Sequence, residues 1–359
     1  MLERSYERRR RSLAKIMESE DLDLFLLSES ADILYFTSFS GALKAFISKN
    51  GELTVYVSPV NLEEARRKLN EGEIKLVRRS EDLNREIATF ILESKAKTVG
   101  FKGLKAADYL DLKESIGTSE LKPKSDLVWR LRSVKDSYEI RAIKEASKLT
   151  SIGMEAAMNY IKPGVREYEI AAELEYAMRR NGADGTAFET IVASGERTAL
   201  PHGGCTERRI RLGDLIMIDV GARYRNYCID ITRTFVVGTP TERQKELFEV
   251  VKLAQEHALK VLRAGIAAYK PDEEARSVLK RSGLEEKFVH GLGHGLGLEI
   301  HEPPLLKPGN KSPLRKGNVV TVEPGVYIPG LGGVRIEDTV QILELGTEKL
   351  TSFPIDFTV

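Results

Sequence analysis

Two segments of the chain follow one pattern: RLGDLIMIDVG at residues 211–221 and RKGNVVTVEPG at residues 315–325. In both, an arginine, a glycine, an Asp or Asn, an apolar run, an acidic residue and a final glycine stand at the same offsets. Such self-similarity indicates that two halves of one domain share a structural unit. Each apolar run predicts a buried strand, and these strands lead to Asp219 and Glu323.

A second acidic residue follows each strand after a polar or glycine-rich turn. In the first copy, a turn centred on residues 224–225 places Asp219 opposite Asp230. In the second copy, a turn centred on the glycine-rich segment places Glu323 opposite Glu337. Like charges directly opposite each other destabilise a sheet, and a buried carboxylate without compensation is costly. These four carboxylates therefore call for cations, and two divalent ions would balance them.

Salt bridges are the alternative explanation for these acidic residues, and Arg233 and Arg335 are available to form them. For a single buried acid, a salt bridge is the ordinary arrangement. For four acids at repeat-related positions, metal binding is the better interpretation.

Four of the five histidines lie close in sequence to the acidic hairpins: His202, His290, His294 and His301. The segment HGLGH between His290 and His294 is too rich in glycine for a metal-binding helix, which favours a strand or loop. His202 and His301 lie in loop-like segments, where functional residues are concentrated.

The length of 359 residues is typical of two domains. The first third alternates helix and strand patterns, which predicts an α/β domain over residues 1–124 without histidine. Residues 125–359 combine four predicted helices with antiparallel hairpins, which predicts an α+β domain that holds the site. The first of these helices begins after Asp136, which has capping-box spacing to Glu139.

The bulk properties exclude several classes of protein. A net charge of +1 gives no field that would attract nucleic acid or a membrane. The run of arginines at residues 8–11 is interpreted as the solvated face of a helix. Two cysteines without paired spacing, and no signal peptide or membrane span, make the cytoplasm the expected compartment.

These residues resemble the metallopeptidase family with the pita-bread fold, which includes prolidase, aminopeptidase P and methionine aminopeptidase. The family's metal ligands fall on Asp219, Asp230, His294, Glu323 and Glu337. The segment DILYFTSFSG at residues 32–41 and the strings around His202 and Arg335 are similar to the X-Pro branch, and methionine aminopeptidases lack this N-terminal domain. Ile229 departs from the pattern, since relatives usually carry a small residue there.

The resemblance implies an α/β N-terminal domain and an α+β pita-bread domain with an internal pseudo-two-fold repeat and an antiparallel sheet. It implies two divalent metal ions. The mixed oxygen ligands and single imidazole suit Mn²⁺ or Co²⁺, with Zn²⁺ and Fe²⁺ as alternatives. It also implies a cytoplasmic homodimer that acts on short proline-containing peptides.

The resemblance assigns further roles around the metal site. Glu323 would move a proton as well as bind metal. His202 and His301 would donate hydrogen bonds to the tetrahedral intermediate or to substrate carbonyls. His290 and Arg335 would position the substrate and support the cluster.

Other side chains are expected to hold the substrate or the ligands. Phe188, Ile300 and His301 would form an apolar slot for the proline ring. Tyr227 and Thr232 are candidate hydrogen-bond donors to the metal ligands.

The leading hypothesis for function is an Xaa-Pro dipeptidase, and the alternative is an Xaa-Pro aminopeptidase that acts on longer peptides. A peptide-binding relative without catalysis would have lost ligands, whereas this chain keeps all of them. An unrelated metal enzyme such as a phosphatase would need phosphate-binding loops beside the acids, and the sequence shows none.

Overall fold

The computed structural model describes residues 3–359. The chain divides into two compact units, one up to Arg132 and one from Ser133 to Val359. The sequence-based boundary lay between residues 124 and 125. The helix that follows it, Ser125–Arg132, belongs to the first unit, in which it contacts the N-terminal helix and buries Leu127 and Val128.

The first unit is a mixed sheet with helices between its strands. The strand order is β4-β3-β2-β1-β5-β6, in which β3–β4, β1–β5 and β5–β6 are parallel pairs. A parallel pair needs a crossover connection, and α3 and α5 supply two of them. The elements are α1 Glu3–Ser19, β1 Leu24–Leu27, α2 Ser30–Thr37, β2 Lys44–Ser48, β3 Leu53–Val57, α3 Leu62–Lys68, β4 Glu73–Leu76, α4 Leu83–Glu93, β5 Thr98–Lys102, α5 Ala106–Ser115, β6 Glu120–Pro123 and α6 Ser125–Arg132.

The second unit has two central sheets, each covered by a pair of helices. The sheet β12-β9-β8 packs on α7 and α8, and the sheet β14-β13-β15-β18-β19 packs on α9 and α10. The elements are α7 Ser137–Tyr160, α8 Glu167–Arg180, β7 Gly185–Thr186, β8 Ile191–Ser194, β9 Leu215–Val220, β10 Ala222–Tyr224, β11 Tyr227–Cys228, β12 Ile231–Val236, α9 Glu242–Val261, α10 Lys270–Arg281, β13 Gly293–Gly295, β14 Glu302–Leu306, β15 Val319–Val322, β16 Gly325–Ile328, β17 Gly332–Arg335, β18 Asp338–Ile342 and β19 Thr347–Lys349.

The first helix of this unit begins as its sequence predicts. The Asp136 side chain accepts hydrogen bonds from the backbone N–H groups of Tyr138 and Glu139, and the Glu139 carboxylate accepts one from the Asp136 N–H at 2.9 Å. This reciprocal arrangement satisfies donors that have no partner inside the helix. Among residues 3–359, no helix is both long enough and apolar enough to span a bilayer.

The predicted internal repeat holds at the level of single hydrogen bonds. Asp214 accepts a hydrogen bond from the Arg211 backbone N–H at 2.8 Å, and Asn318 accepts the same bond from the Arg315 N–H at 2.7 Å. The glycine before each of these residues has a positive φ, 84° in the first copy and 90° in the second. Strands β9 and β15 therefore follow the same type of turn.

The register of the first hairpin differs from the prediction. Asp219 lies opposite Thr232, not opposite Asp230. The predicted turn was centred one residue too early, because Arg225 and Asn226 form the turn with φ values of 50° and 68°. Two successive residues with positive φ are what a tight two-residue hairpin turn requires. The pairing shifts by two positions, and since side chains alternate with a period of two, both acids stay on one face.

The second hairpin has the predicted register. Strands β15 and β18 pair in one sheet and strands β16 and β17 in another, and both pairs have the same register. This register places Glu323 opposite Glu337, as a turn centred on Gly330 predicts.

Gly221 marks a close backbone approach in the first hairpin. A Cβ atom there would lie 1.7 Å from the carbonyl oxygen of Ile229. We expect Gly221→Ala to lower the free energy of unfolding by about 3 kcal/mol, since overpacking against backbone forces the strands apart. Denaturant unfolding of the metal-free protein measures the loss.

Gly164→Ala is the control for this prediction. Gly164 has a φ of 95° but no atom within 4 Å of its ideal Cβ, so alanine there costs only the left-handed conformation, about 1 kcal/mol. Equal losses in the two variants would show that the approach of Ile229 is not what requires glycine.

Candidate metal centre

The predicted metal ligands lie at the ends of five strands of the second unit and meet in one cleft. Asp219 is on β9, Asp230 directly precedes β12, His294 is on β13, Glu323 directly follows β15 and Glu337 directly precedes β18. Ligand atoms of Asp230, His294 and Glu337 all lie within 4.8 Å of one another. Two strand ends of each repeat therefore bring their acids to a common point.

The imidazole of His294 is oriented as a ligand. Its Nδ1 lies 3.0 Å from the carbonyl oxygen of Gly295, which requires the proton on Nδ1 and leaves the lone pair on Nε2. Nε2 lies 3.7 Å from Asp230 Oδ2 and 3.4 Å from Glu323 Oε1. In this tautomer the Nε2 lone pair faces carboxylate oxygens, which are also acceptors, so a cation is the natural partner for all of these atoms.

Three carboxylate oxygens at the cleft are buried without a hydrogen-bond partner among the described residues. They are Asp219 Oδ1, Asp230 Oδ1 and Glu337 Oε1. Nearly all buried polar atoms in folded proteins have a partner. Since oxygen ligands are what divalent cations prefer, these orphaned acceptors fit the two metal ions that the sequence implies.

The electrostatics of the cluster support the same conclusion. Burial and the charge of the neighbouring carboxylates raise the pKa of Asp230 and of Glu337 well above their usual range. Burial, with the charge of Asp219, raises the pKa of Glu323 to about 8. The four carboxylates would carry four negative charges, and one guanidinium that faces them is not enough to balance these charges.

That guanidinium is Arg335 on β17, which donates four hydrogen bonds to protein groups. Its Nε donates to Thr232 Oγ1 at 3.1 Å, and one terminal nitrogen donates to Tyr327 Oη at 2.9 Å and to the Pro201 carbonyl at 3.2 Å. The other terminal nitrogen donates to Asp219 Oδ2. Arg335 thus orients a ligand and anchors the loop that contains Pro201.

The other three predicted histidines surround the cleft in different ways. His202 and His301 are exposed, and the His301 ring stands edge-on to His294 with ring centroids 4.3 Å apart. His290 lines the cleft but is less exposed than these two, and its Nε2 lies 2.8 Å from Tyr327 Oη. Burial lowers the pKa of His290 to about 4, so this ring is neutral near pH 7.

The cleft has a volume of about 540 Å³, and it is lined by all the predicted metal ligands, the three other predicted histidines, Arg335, Phe188 and Ile300. The apolar wall includes Phe188 and Ile300. Sequence reasoning missed several other lining residues, among them Glu189, Leu305 and Lys307.

Two further contacts around the ligands were only partly foreseen. Thr232 donates to Glu337 Oε2 at 2.6 Å, as predicted. Tyr227 is buried in the core, with its ring edge-on to that of Tyr138, and its predicted role as a donor to the ligands stays a prediction. Thr321 was missed, although its position two residues before Glu323 on one strand puts both side chains on the same face. Its Oγ1 donates to Glu323 Oε1 at 3.1 Å.

The loop that carries His202 is held by a buried carboxylate that sequence reasoning missed. Glu167, at the start of α8, accepts hydrogen bonds from the backbone N–H groups of Ser194 at 2.8 Å and Thr206 at 2.9 Å. It also pairs with Arg197, whose guanidinium donates to the carbonyl of Gly203. These contacts fix both ends of the loop beside the cleft.

Comparisons with known proteins agree with this geometry. Residues 141–344 match the model of metallopeptidase family M24, and residues 9–134 match the creatinase/prolidase N-terminal domain. The chain is 39% identical to the Xaa-Pro dipeptidase of Pyrococcus furiosus over 341 residues, which cover 94% of this chain and 96% of that protein.

Solved structures are similar over nearly the whole chain. The Xaa-Pro dipeptidase from Bacillus anthracis superposes with a TM-score of 0.93 at 36% identity, covering 99% of this chain and 100% of that one. The X-Pro aminopeptidase from Thermotoga maritima superposes with a TM-score of 0.86 at 37% identity, covering 94% of this chain and 98% of that one.

Proposed function

Because the chain belongs to metallopeptidase family M24 and has its creatinase/prolidase N-terminal domain and pita-bread fold, we propose that it is an Xaa-Pro dipeptidase. The observation that carries the proposal is the set of three buried carboxylate oxygens that have no hydrogen-bond partner among the described residues and whose side chains line one cleft with His294. The full-length relatives that are named Xaa-Pro dipeptidases suggest the substrate class.

The family and the donor set both imply divalent metal ions. Asp219, Asp230, His294, Glu323 and Glu337 would hold two of them. Carboxylate oxygens and a single imidazole favour Mn²⁺ or Co²⁺, with Zn²⁺ and Fe²⁺ as alternatives. When bound, such ions activate a water molecule and polarise the scissile carbonyl.

Protein groups move the proton and stabilise the developing charge. Glu323 is the proposed proton carrier, because its side chain is 16% exposed to the cleft, whereas Glu337 is 1% exposed. Thr321 orients it through a hydrogen bond. His202 and His301 would donate hydrogen bonds to the substrate carbonyl as it gains negative charge.

The remaining site residues would bind and orient the peptide. Phe188 and Ile300, with the edge of His301, offer an apolar wall for the proline ring. Excluding water there strengthens the polar contacts next to it. His290 and Arg335 share the Tyr327 hydroxyl and would keep the histidine side of the cleft in place.

An Xaa-Pro aminopeptidase that cuts longer peptides is the second candidate. Similarity to the X-Pro aminopeptidase from Thermotoga maritima favours it. Both activities use the same metal centre, and the accepted peptide length separates them.

The proposal is tested by removing metal and restoring it. We expect the stripped protein to be inactive and Mn²⁺ or Co²⁺ to restore cleavage of an X-Pro dipeptide, with an X-Ala dipeptide cut at least about tenfold more slowly. An X-Pro tripeptide measured beside it identifies an aminopeptidase if it is cleaved equally well. If no metal restores cleavage of either peptide, the chain is not a peptidase.

We also propose that the protein is a cytoplasmic homodimer. Neither Cys205 nor Cys228 is in a disulfide, which is the usual state of thiols in a reducing compartment. Sedimentation of the metal-loaded protein measures the oligomeric state.

A further inference from the structure

Among the described residues that line the cleft are one arginine, Arg335, and one lysine, Lys307. Arg335 is only 3% exposed, and it donates four hydrogen bonds, one to Asp219 and three to other protein groups. Lys307 is exposed, and within residues 5–359 its ammonium has no ion pair and no side-chain hydrogen bond. The cleft therefore presents one positive charge that the protein itself does not use.

Strand geometry places this lysine on the cleft side. Lys307 directly follows β14, which pairs with β13 so that Leu306 lies opposite Gly293. Leu306 is fully buried in the core, whereas Leu305 and Lys307 line the cleft. This is the alternation of a regular strand, in which successive side chains point to opposite faces.

The start of the side chain is also fixed by a close contact. A Cβ atom on Gly291 would lie 2.9 Å from Lys307 Cβ and 3.1 Å from the carbonyl oxygen of Leu306. The backbone around Lys307 thus packs directly on the glycine that follows His290. The Lys307 side chain therefore starts from a closely packed backbone beside His290.

We propose that Lys307 binds the free α-carboxylate of the substrate and thereby selects dipeptides over longer peptides. The inference rests on the proposed function, since in an X-Pro dipeptide the proline itself bears the terminal carboxylate. A carboxylate paired with an ammonium forms a charge-assisted hydrogen bond, which is stronger than a neutral one. In a longer peptide the same position is a neutral amide, which gains less from this lysine.

The experiment uses the metal-loaded enzyme with an X-Pro dipeptide and the corresponding X-Pro amide, which lacks the charge. We expect Lys307→Ala to raise KM for the dipeptide about tenfold with little change in kcat, as for the loss of one charged hydrogen bond at an exposed site. Cleavage of the amide is expected to stay unchanged. Lys307→Arg is expected to restore most of the dipeptide affinity.

Lys311→Ala is the matched control, because Lys311 is an exposed lysine nearby that does not line the cleft. It removes the same charge from the protein and is expected to leave both substrates unaffected. An effect of equal size in both lysine variants would show that Lys307 acts only through the net charge of the protein and would overturn the inference.

The remaining outcomes separate this inference from the function it rests on. If wild type and Lys307→Ala prefer the dipeptide over the amide by the same factor, the lysine does not bind the carboxylate. If kcat falls for both substrates and the preference for the dipeptide over the amide is unchanged, Lys307 has a structural role, and the inference is also refuted. If the wild type cleaves neither substrate with any metal, the proposed function itself fails.

Discussion

Replacing Glu337 with glutamine is expected to lower kcat/KM for an X-Pro dipeptide by about 10³-fold or more. Glu337 is 1% exposed, its Oε2 accepts a hydrogen bond from Thr232, and its Oε1 has no partner among the described residues. Glutamine keeps the size and the acceptor for Thr232 but removes the charge that a metal ion needs. Loss of metal-assisted polarisation is worth several kcal/mol of barrier.

The same substitution should have the opposite effect on the metal-free protein. Without metal, Glu337 is a buried acid next to Asp230, Asp219 and Glu323, whose charges oppose its own. A neutral amide removes this repulsion, so we expect the metal-free variant to be about 1–2 kcal/mol more stable than the metal-free wild type. Thermal unfolding with and without Mn²⁺ measures both, because added metal should stabilise only the wild type.

Asp214→Asn is the control for this change from acid to amide. Asp214 occupies the position at which the second copy of the repeat has Asn318, and both side chains accept the equivalent backbone hydrogen bond. Activity should remain within about threefold of wild type. Metal content measured on the purified variants completes the comparison: a Glu337→Gln protein that retains two metal ions and full activity would remove Glu337 from the centre.

Arg335→Gln is expected to cause the largest loss of stability, about 3–5 kcal/mol in denaturant unfolding of the metal-free protein. Removing one partner of a buried ion pair leaves the other charge uncompensated. Here the partner is Asp219, and the Tyr327 hydroxyl and the Pro201 carbonyl lose a donor at the same time. Activity should fall as well, since a ligand and the neighbouring loop both lose their anchor.

Arg208→Gln provides the matched comparison. Arg208 forms an ion pair with Asp214 at 2.6 Å, but its side chain is 24% exposed, against 4% for that of Arg335. Water screens such a pair, and its loss should cost about 1 kcal/mol or less. Similar losses in the two variants would contradict the view that burial makes Arg335 the main anchor of the site.

The sequence by itself determined the strand repeat and predicted which acidic side chains meet in the cleft. Both follow from residues that are neighbours in the sequence. An apolar strand of fixed length leads to an acidic residue, and the turn before the strand needs a glycine with positive φ and an Asp or Asn that accepts a backbone hydrogen bond. The second hairpin was also predictable, because its glycine-rich turn marks the centre. Each of these features is defined by a short stretch of the sequence.

Only the tertiary structure decided the register of the first hairpin and the surroundings of the ligands. The turn at Arg225 and Asn226 contains no glycine, so local pattern placed its centre one residue too early. Tyr327, Glu167 and Lys307 carried no signal in the sequence, since each is an ordinary residue that gains a role from partners far along the chain. Such contacts form because the packing of buried strands and helices brings distant segments together. Hydrophobic burial drives this packing, and since it is non-directional, the local sequence does not show which distant residues will meet.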